Sequence, residues 1–152
     1  MALSANQLVV RKAQPVIKKL KCVNGLLHIY KGALLMYEAS NIGYVMPASD
    51  LVTAEFAGIA LEEVDVAAAD NVSDGTYEVE VLPRGCGEEV LMTTTGTITI
   101  ANEGDPVYMD TDGAVDLAGG VANTVTLGLV GIIRQFVDGN TAWVQMVQHP
   151  TL

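Results

Sequence analysis

Residues 76–82 read Thr-Tyr-Glu-Val-Glu-Val-Leu. Tyr77, Val79 and Val81 fall on one face, and Thr76, Glu78 and Glu80 on the other. A strict period of 2 marks a strand with one buried and one wet face. Asp74-Gly75 precedes it and Pro83-Arg84-Gly85 follows it, both turn-forming. The same punctuation recurs downstream. Segments 88–92 and 97–101 (Thr-Ile-Thr-Ile-Ala) are expected to be strands flanking Thr93–Gly96. Residues 107–109 form a short strand, followed by the hairpin signal Asp112-Gly113. Segments 125–137 and 141–147 are joined by Asp138-Gly139-Asn140, with Trp143 facing away from Ala142, Val144 and Met146.

Upstream, segments 16–22, 26–30, 33–37 and 42–47 are separated by Asn24-Gly25, Lys31-Gly32 and Ser40-Asn41. Asn-Gly is the strongest short hairpin signal, so 16–22 and 26–30 are expected to pair. Segment 51–69 is the one helix candidate, with a loose 3.6 period and Gly58 in its middle. The reading favoured is a strand over 55–60, with the glycine at a bulge or close approach, and a short helical or irregular piece afterwards. Short strands every 8–12 residues predict an all-β barrel or sandwich. The stretch 113–124 is the expected flexible loop.

At 152 residues the chain is one domain. It is long enough to bury a core without disulfide or metal staples. Apolar residues are 50% and charged residues 17%, which excludes a chain disordered throughout. So few charges suggest a surface partly covered by a partner. The net charge of −10 hides a split. Residues 1–37 hold six basic residues and no acid, a net of +6. The remainder holds Arg84 and Arg134 against 18 acids, a net of −16. Such a body repels nucleic acid. Cys22 and Cys86 match no metal spacing and form no disulfide framework; they read as reduced thiols. No apolar run approaches a transmembrane helix. The N-terminus lacks a basic stretch ahead of an apolar core, so it does not read as a signal peptide. A soluble protein made in a cytoplasm is expected.

Catalytic motifs are sparse. His28 lies in an apolar strand and His149 near the end, neither with an acid at a diagnostic spacing. No Gly-x-Ser-x-Gly elbow occurs, and no glycine-rich phosphate loop. Asp110-Thr111-Asp112-Gly113 is superficially like a calcium loop but lacks the third ligand and the late glutamate, so it reads as a hairpin turn. Arg84 beside Cys86 could lower that thiol's pKa, but on a tight turn it reads first as a turn residue. These features predict no enzyme, no cofactor and no metal.

The basic run does carry information. Its bland reading is a solvated strand face. Its functional reading is an extended arm, residues 1–24, that docks through Arg11, Lys12, Lys18, Lys19 and Lys21 on an acidic partner, or that adds a strand to an exposed sheet edge. Residues 25–152 are then the body. A basic arm binding DNA is a variant of that reading.

From residue 25 onward the layout resembles small phage capsid decoration, or cement, proteins. The resembling stretches are Tyr30–Leu35, Phe56–Ala60, Val79–Gly85, Ile100–Tyr108, Leu129–Ile133 and Ala142–Met146. The resemblance implies a compact β-barrel or β-tulip-like body. It also implies a homotrimer on the outer surface of the phage head, in contact with the major capsid protein, bridging capsomers and stabilising the expanded shell. No membrane association is implied. Phe56, Tyr108, Ile132, Phe136 and Trp143 are the expected oligomer or core contacts. The alternative is a β-sandwich module that binds a glycan or cell surface, motivated by Trp143 and by Tyr30, Tyr37 and Tyr44.

Overall fold

A computed structural model describes residues 17–25, 27–38, 43–49, 55–66, 73–117 and 128–147. The fold is all-β. Its first layer is a closed barrel of five strands: β1 (Lys18–Cys22), β3 (Leu34–Tyr37), β4 (Tyr44–Pro47), β5 (Glu55–Ala60) and β7 (Glu78–Pro83). The order around the barrel is β1-β4-β3-β5-β7, and β7 returns to β1. All these pairs are antiparallel except β1 with β4. A separate two-stranded piece pairs β2 (Leu27–Ile29) with β6 (Val64–Val66).

The second layer is a five-stranded sheet curved as a half-barrel. It contains β8 (Glu89–Thr93), β9 (Pro106–Met109), β10 (Val115–Asp116), β11 (Leu129–Asp138) and β12 (Thr141–Met146). Its order is β10-β9-β11-β12-β8. Every pair in it is antiparallel.

Side-chain alternation explains why two cores form. On β7, Val79 and Val81 are fully buried inside the barrel, while Glu78 and Glu80 face outward. On β3, Leu35 points inward and Leu34 and Met36 point to the half-barrel sheet. A strand buried on both faces reads as a continuous apolar run, as Ala-Leu-Leu-Met does here.

The strand β5 needs a device to serve both cores. Opposite Leu35 and Met36 its register slips at Gly58, whose φ is +155°. The slip inserts one residue and re-aims the chain. Phe56 and Ile59 therefore both face the half-barrel sheet, while Ala57 and Ala60 both face the barrel interior. The favoured strand over 55–60, with its glycine at a bulge, is what the structure contains.

Three expectations need correction. First, residues 18–22 are not part of an arm: they form β1 and close the barrel between β4 and β7. The body therefore begins no later than Lys18, and the boundary at residue 24 moves. Leu20 opposite Val79 and Cys22 pointing into the barrel core supply the apolar reason. Second, Asn24-Gly25 does not join a β1–β2 hairpin. Gly25 turns the chain away at φ +119°, and the Asn24 N–H donates to Asp74 Oδ1 (2.6 Å). Third, 97–101 is not a strand. Thr99 caps a 3-10 turn at Ile100–Asn102: its hydroxyl accepts from the Ala101 N–H, and its own N–H donates to Asn102 Oδ1. Local side-chain bonds of this kind compete with a ladder.

Candidate functional site

The outer face of the half-barrel sheet gathers most of the residues expected to make contacts. Register fixes which side chains share that face. Trp143 on β12 lies opposite Leu91 on β8 and Gln135 on β11. Ile132 lies opposite Gln145 and Pro106, and Tyr108 opposite Leu129 and Asp116. The alternate residues Val90, Met92, Ala142, Val144 and Met146 turn to the core. Leu91 is 50% exposed and Trp143 37%. Ile132 and Tyr108 are half-buried. An apolar band thus crosses the sheet from Leu91 through Trp143 toward Ile132 and Tyr108.

Phe56 belongs elsewhere. It is fully buried between the barrel and the sheet, so it is a core residue alone. Phe136 is partly buried against the same core. The expected contact set therefore divides into an interior pair and a surface group of Tyr108, Ile132 and Trp143. Sequence reasoning missed Leu91. The signal was there: Leu91 shares its strand phase with Glu89 and Thr93, an apolar residue on a polar face.

The basic residues behave differently. Lys19 and Lys21 point outward from β1, directly across from Glu80 and Glu78 of β7. Lys19 Nζ lies 3.8 Å from Glu80 Oε1, both side chains well exposed. The acidic phase of β7 and the basic phase of β1 are thus cross-strand partners. The bland reading of this part of the run, a solvated strand face, accounts for Lys19 and Lys21. Lys18 sits at the barrel mouth, where it lines a cleft of about 290 Å³ with Leu20, Tyr37, Ala57, Pro83 and Arg84. Arg84 contacts the Glu55 carboxylate, and its guanidinium lies 6.0 Å from the Tyr37 ring centroid. Arg11, Lys12 and His149 lie outside the described residues.

The chemistry-bearing side chains do not converge. Nε2 of His28 lies 2.7 Å from Glu63 Oε1, and its ring stacks on Tyr30 with centroids 4.1 Å apart. The β2–β6 pairing makes this contact, which no sequence spacing announces. Burial, then the charges of Glu62 and Glu78, push the Cys22 thiol up to about 11. Burial also raises Cys86; Arg84, which could have lowered it, is engaged with Glu55 instead. Both cysteines are free. The 110–116 stretch holds the turn of the β9–β10 hairpin (110–114) and β10 itself, with the N–H groups of Asp110 and Thr111 both donating to Ala114 O. Among the described residues, no three His, Cys, Asp or Glu side chains are grouped to hold a metal ion. No described helix is long and apolar enough to cross a membrane.

Comparison of the chain with protein-family models, curated proteins and solved structures finds no match.

Proposed function

We propose that the chain is a structural decoration, or cement, protein of a phage head. In this reading it is a homotrimer that binds the major capsid protein on the outer surface of the head and stabilises the expanded shell. The observation that carries the reading is the apolar band Leu91–Trp143–Ile132–Tyr108 on a rigid sheet face. A broad, stiff footprint suits a protein whose work is attachment, since stable contacts bury about 1,200–2,000 Å². Tryptophan and tyrosine are the side chains that most often anchor such contacts. Many weakly bound copies on one shell gain avidity. The acidic remainder keeps decorated particles apart. The ordered motifs of the resembling family add to this support.

The test is reconstitution. Purified protein mixed with heads that lack it should bind stoichiometrically and raise the temperature at which DNA escapes. Protein that stays in the supernatant overturns the reading.

A second reading has one observation behind it. Trp143 is partly exposed on the outer face of the half-barrel sheet, as a sugar-stacking residue would be. A surface-binding module would give glycan-array hits that Trp143→Ala abolishes; an array without hits removes it.

A further inference from the structure

We infer that the open seam of the half-barrel accepts an extended peptide strand carrying basic side chains, donated by another polypeptide. The half-barrel sheet has two edges, β8 and β10. They meet at a single parallel bridge, Thr94 with Val115, and the Thr95 N–H donates to Val115 O (2.9 Å). Beyond that junction the edges part. Between them lies a slot of about 210 Å³, walled by Val90–Thr93 on one side and Gly113–Val115 on the other. Its floor is Leu34 and Ile59 of the barrel.

The phase of the β8 ladder shows what this slot offers. The Met146 N–H donates to Glu88 O, and the Thr94 N–H donates to Asn140 O, each at 2.9 Å. Even-numbered residues of this segment thus direct their backbone groups at β12. The N–H and C=O groups of Glu89 and Leu91, and the N–H of Thr93, turn the opposite way, toward the slot, while the Thr93 C=O serves the Thr94–Val115 bridge. Among the described residues no strand pairs with them. An edge of this kind is a template for an added strand.

Charge selects the occupant. The lining itself is uncharged, and the residues that precede it on the two walls are acidic: Glu89, exposed, before Val90, and Asp112 before Gly113. A strand that sets apolar side chains on Leu34 and Ile59 and a Lys or Arg between Glu89 and Asp112 satisfies both. The chain's own residues 7–12, Gln-Leu-Val-Val-Arg-Lys, have that composition and supply a probe.

The experiment follows amide exchange at Leu91 and Thr93 by NMR in the full chain. The probe is a synthetic peptide of residues 5–13, with a second peptide carrying Arg11→Glu and Lys12→Glu. The basic peptide should slow exchange at both amides at least about tenfold, while the reversed peptide leaves it unchanged. Glu89→Lys, a change at an exposed position, should abolish the effect. No slowing, equal slowing by both peptides, or amides already protected and unmoved by peptide each overturn the inference. The outcome is separable from head attachment: a protein that decorates heads while Leu91 exchanges freely keeps that function and loses the seam.

Discussion

A Cβ placed on Gly58 would lie 2.4 Å from the carbonyl oxygen of Leu82 on the neighbouring strand. The obstacle is backbone, so it cannot swing aside. The φ of +155° also disfavours any L side chain. Gly58→Ala should therefore destabilise the fold by about 2–4 kcal/mol, combining backbone strain with overpacking. Gly131→Ala meets Gln145 O at 2.2 Å and should behave alike. Gly96→Ala, with open space around it, should stay within about 0.5 kcal/mol of the parent. Urea midpoints of the three variants check this.

Removing β1 should unfold the body. A chain beginning after Cys22 loses Leu20 and Cys22 from the barrel core and leaves β4 and β7 without their shared neighbour. Loss of cooperative thermal unfolding by circular dichroism is the expected result. The point change Leu20→Asp should weaken the barrel in the same direction without shortening the chain.

Lys19→Glu should cost little. It places a carboxylate opposite Glu80, but both side chains are exposed and screened. A loss below about 1 kcal/mol is expected, shrinking as salt is added.

Trp143→Ser with Leu91→Ser should lower the melting temperature but keep unfolding cooperative, because Leu91 is 50% and Trp143 37% exposed and neither belongs to the core. Self-association measured by sedimentation, and attachment to heads, should fall together if the band is the contact surface. An unchanged oligomer would detach the band from assembly.

The thiols should differ in reactivity. Cys22 is 1% exposed and its pKa is pushed up to about 11, so alkylation in the native state should reach Cys86 first. Cys22 keeps its proton in the folded state to higher pH than in the unfolded chain. Its contribution is therefore intact below the ordinary thiol pKa and is lost as pH rises toward about 11. Cys22→Ser or Cys22→Ala should flatten the stability profile in that alkaline window.

Much of this molecule was legible as strands. Period-2 patterning placed β7, turn residues between short apolar runs placed β8, β9, β11 and β12, and Asp112-Gly113 and Asp138–Asn140 placed two real hairpins. Pairing was less visible. Asn24-Gly25 shows that a turn dipeptide fixes a bend and not the partner of the strand before it. The helical look of 51–69 put Ala57 and Ile59 on one face, but the bulge at Gly58 sends Ile59, with Phe56, to the half-barrel sheet and Ala57, with Ala60, to the barrel interior. Residues 97–101 alternate like a strand, yet Thr99 and Asn102 bond locally and take the backbone elsewhere. Of the candidate surface, Tyr108, Ile132 and Trp143 were found from apolar residues in strands. Leu91 became meaningful only once register set it beside Trp143.

The way β1 closes the barrel carries a consequence for synthesis on the ribosome. Its antiparallel neighbour β7 ends at Pro83, about sixty residues further along the chain. No ring of strands exists until that distant segment has emerged. Until then Leu34, Met36 and Phe56, which later support the half-barrel sheet, have no sheet to cover them. Long-range closure of this kind is slow and exposes apolar edges in the meantime. The nascent chain should therefore engage trigger-factor-like holdases through its first eighty residues and release them only as β8 to β12 are laid down. Arrest of translation near residue 75 should yield a protease-sensitive nascent chain, and arrest on an appended C-terminal linker long enough to carry β12 out of the ribosome a resistant one.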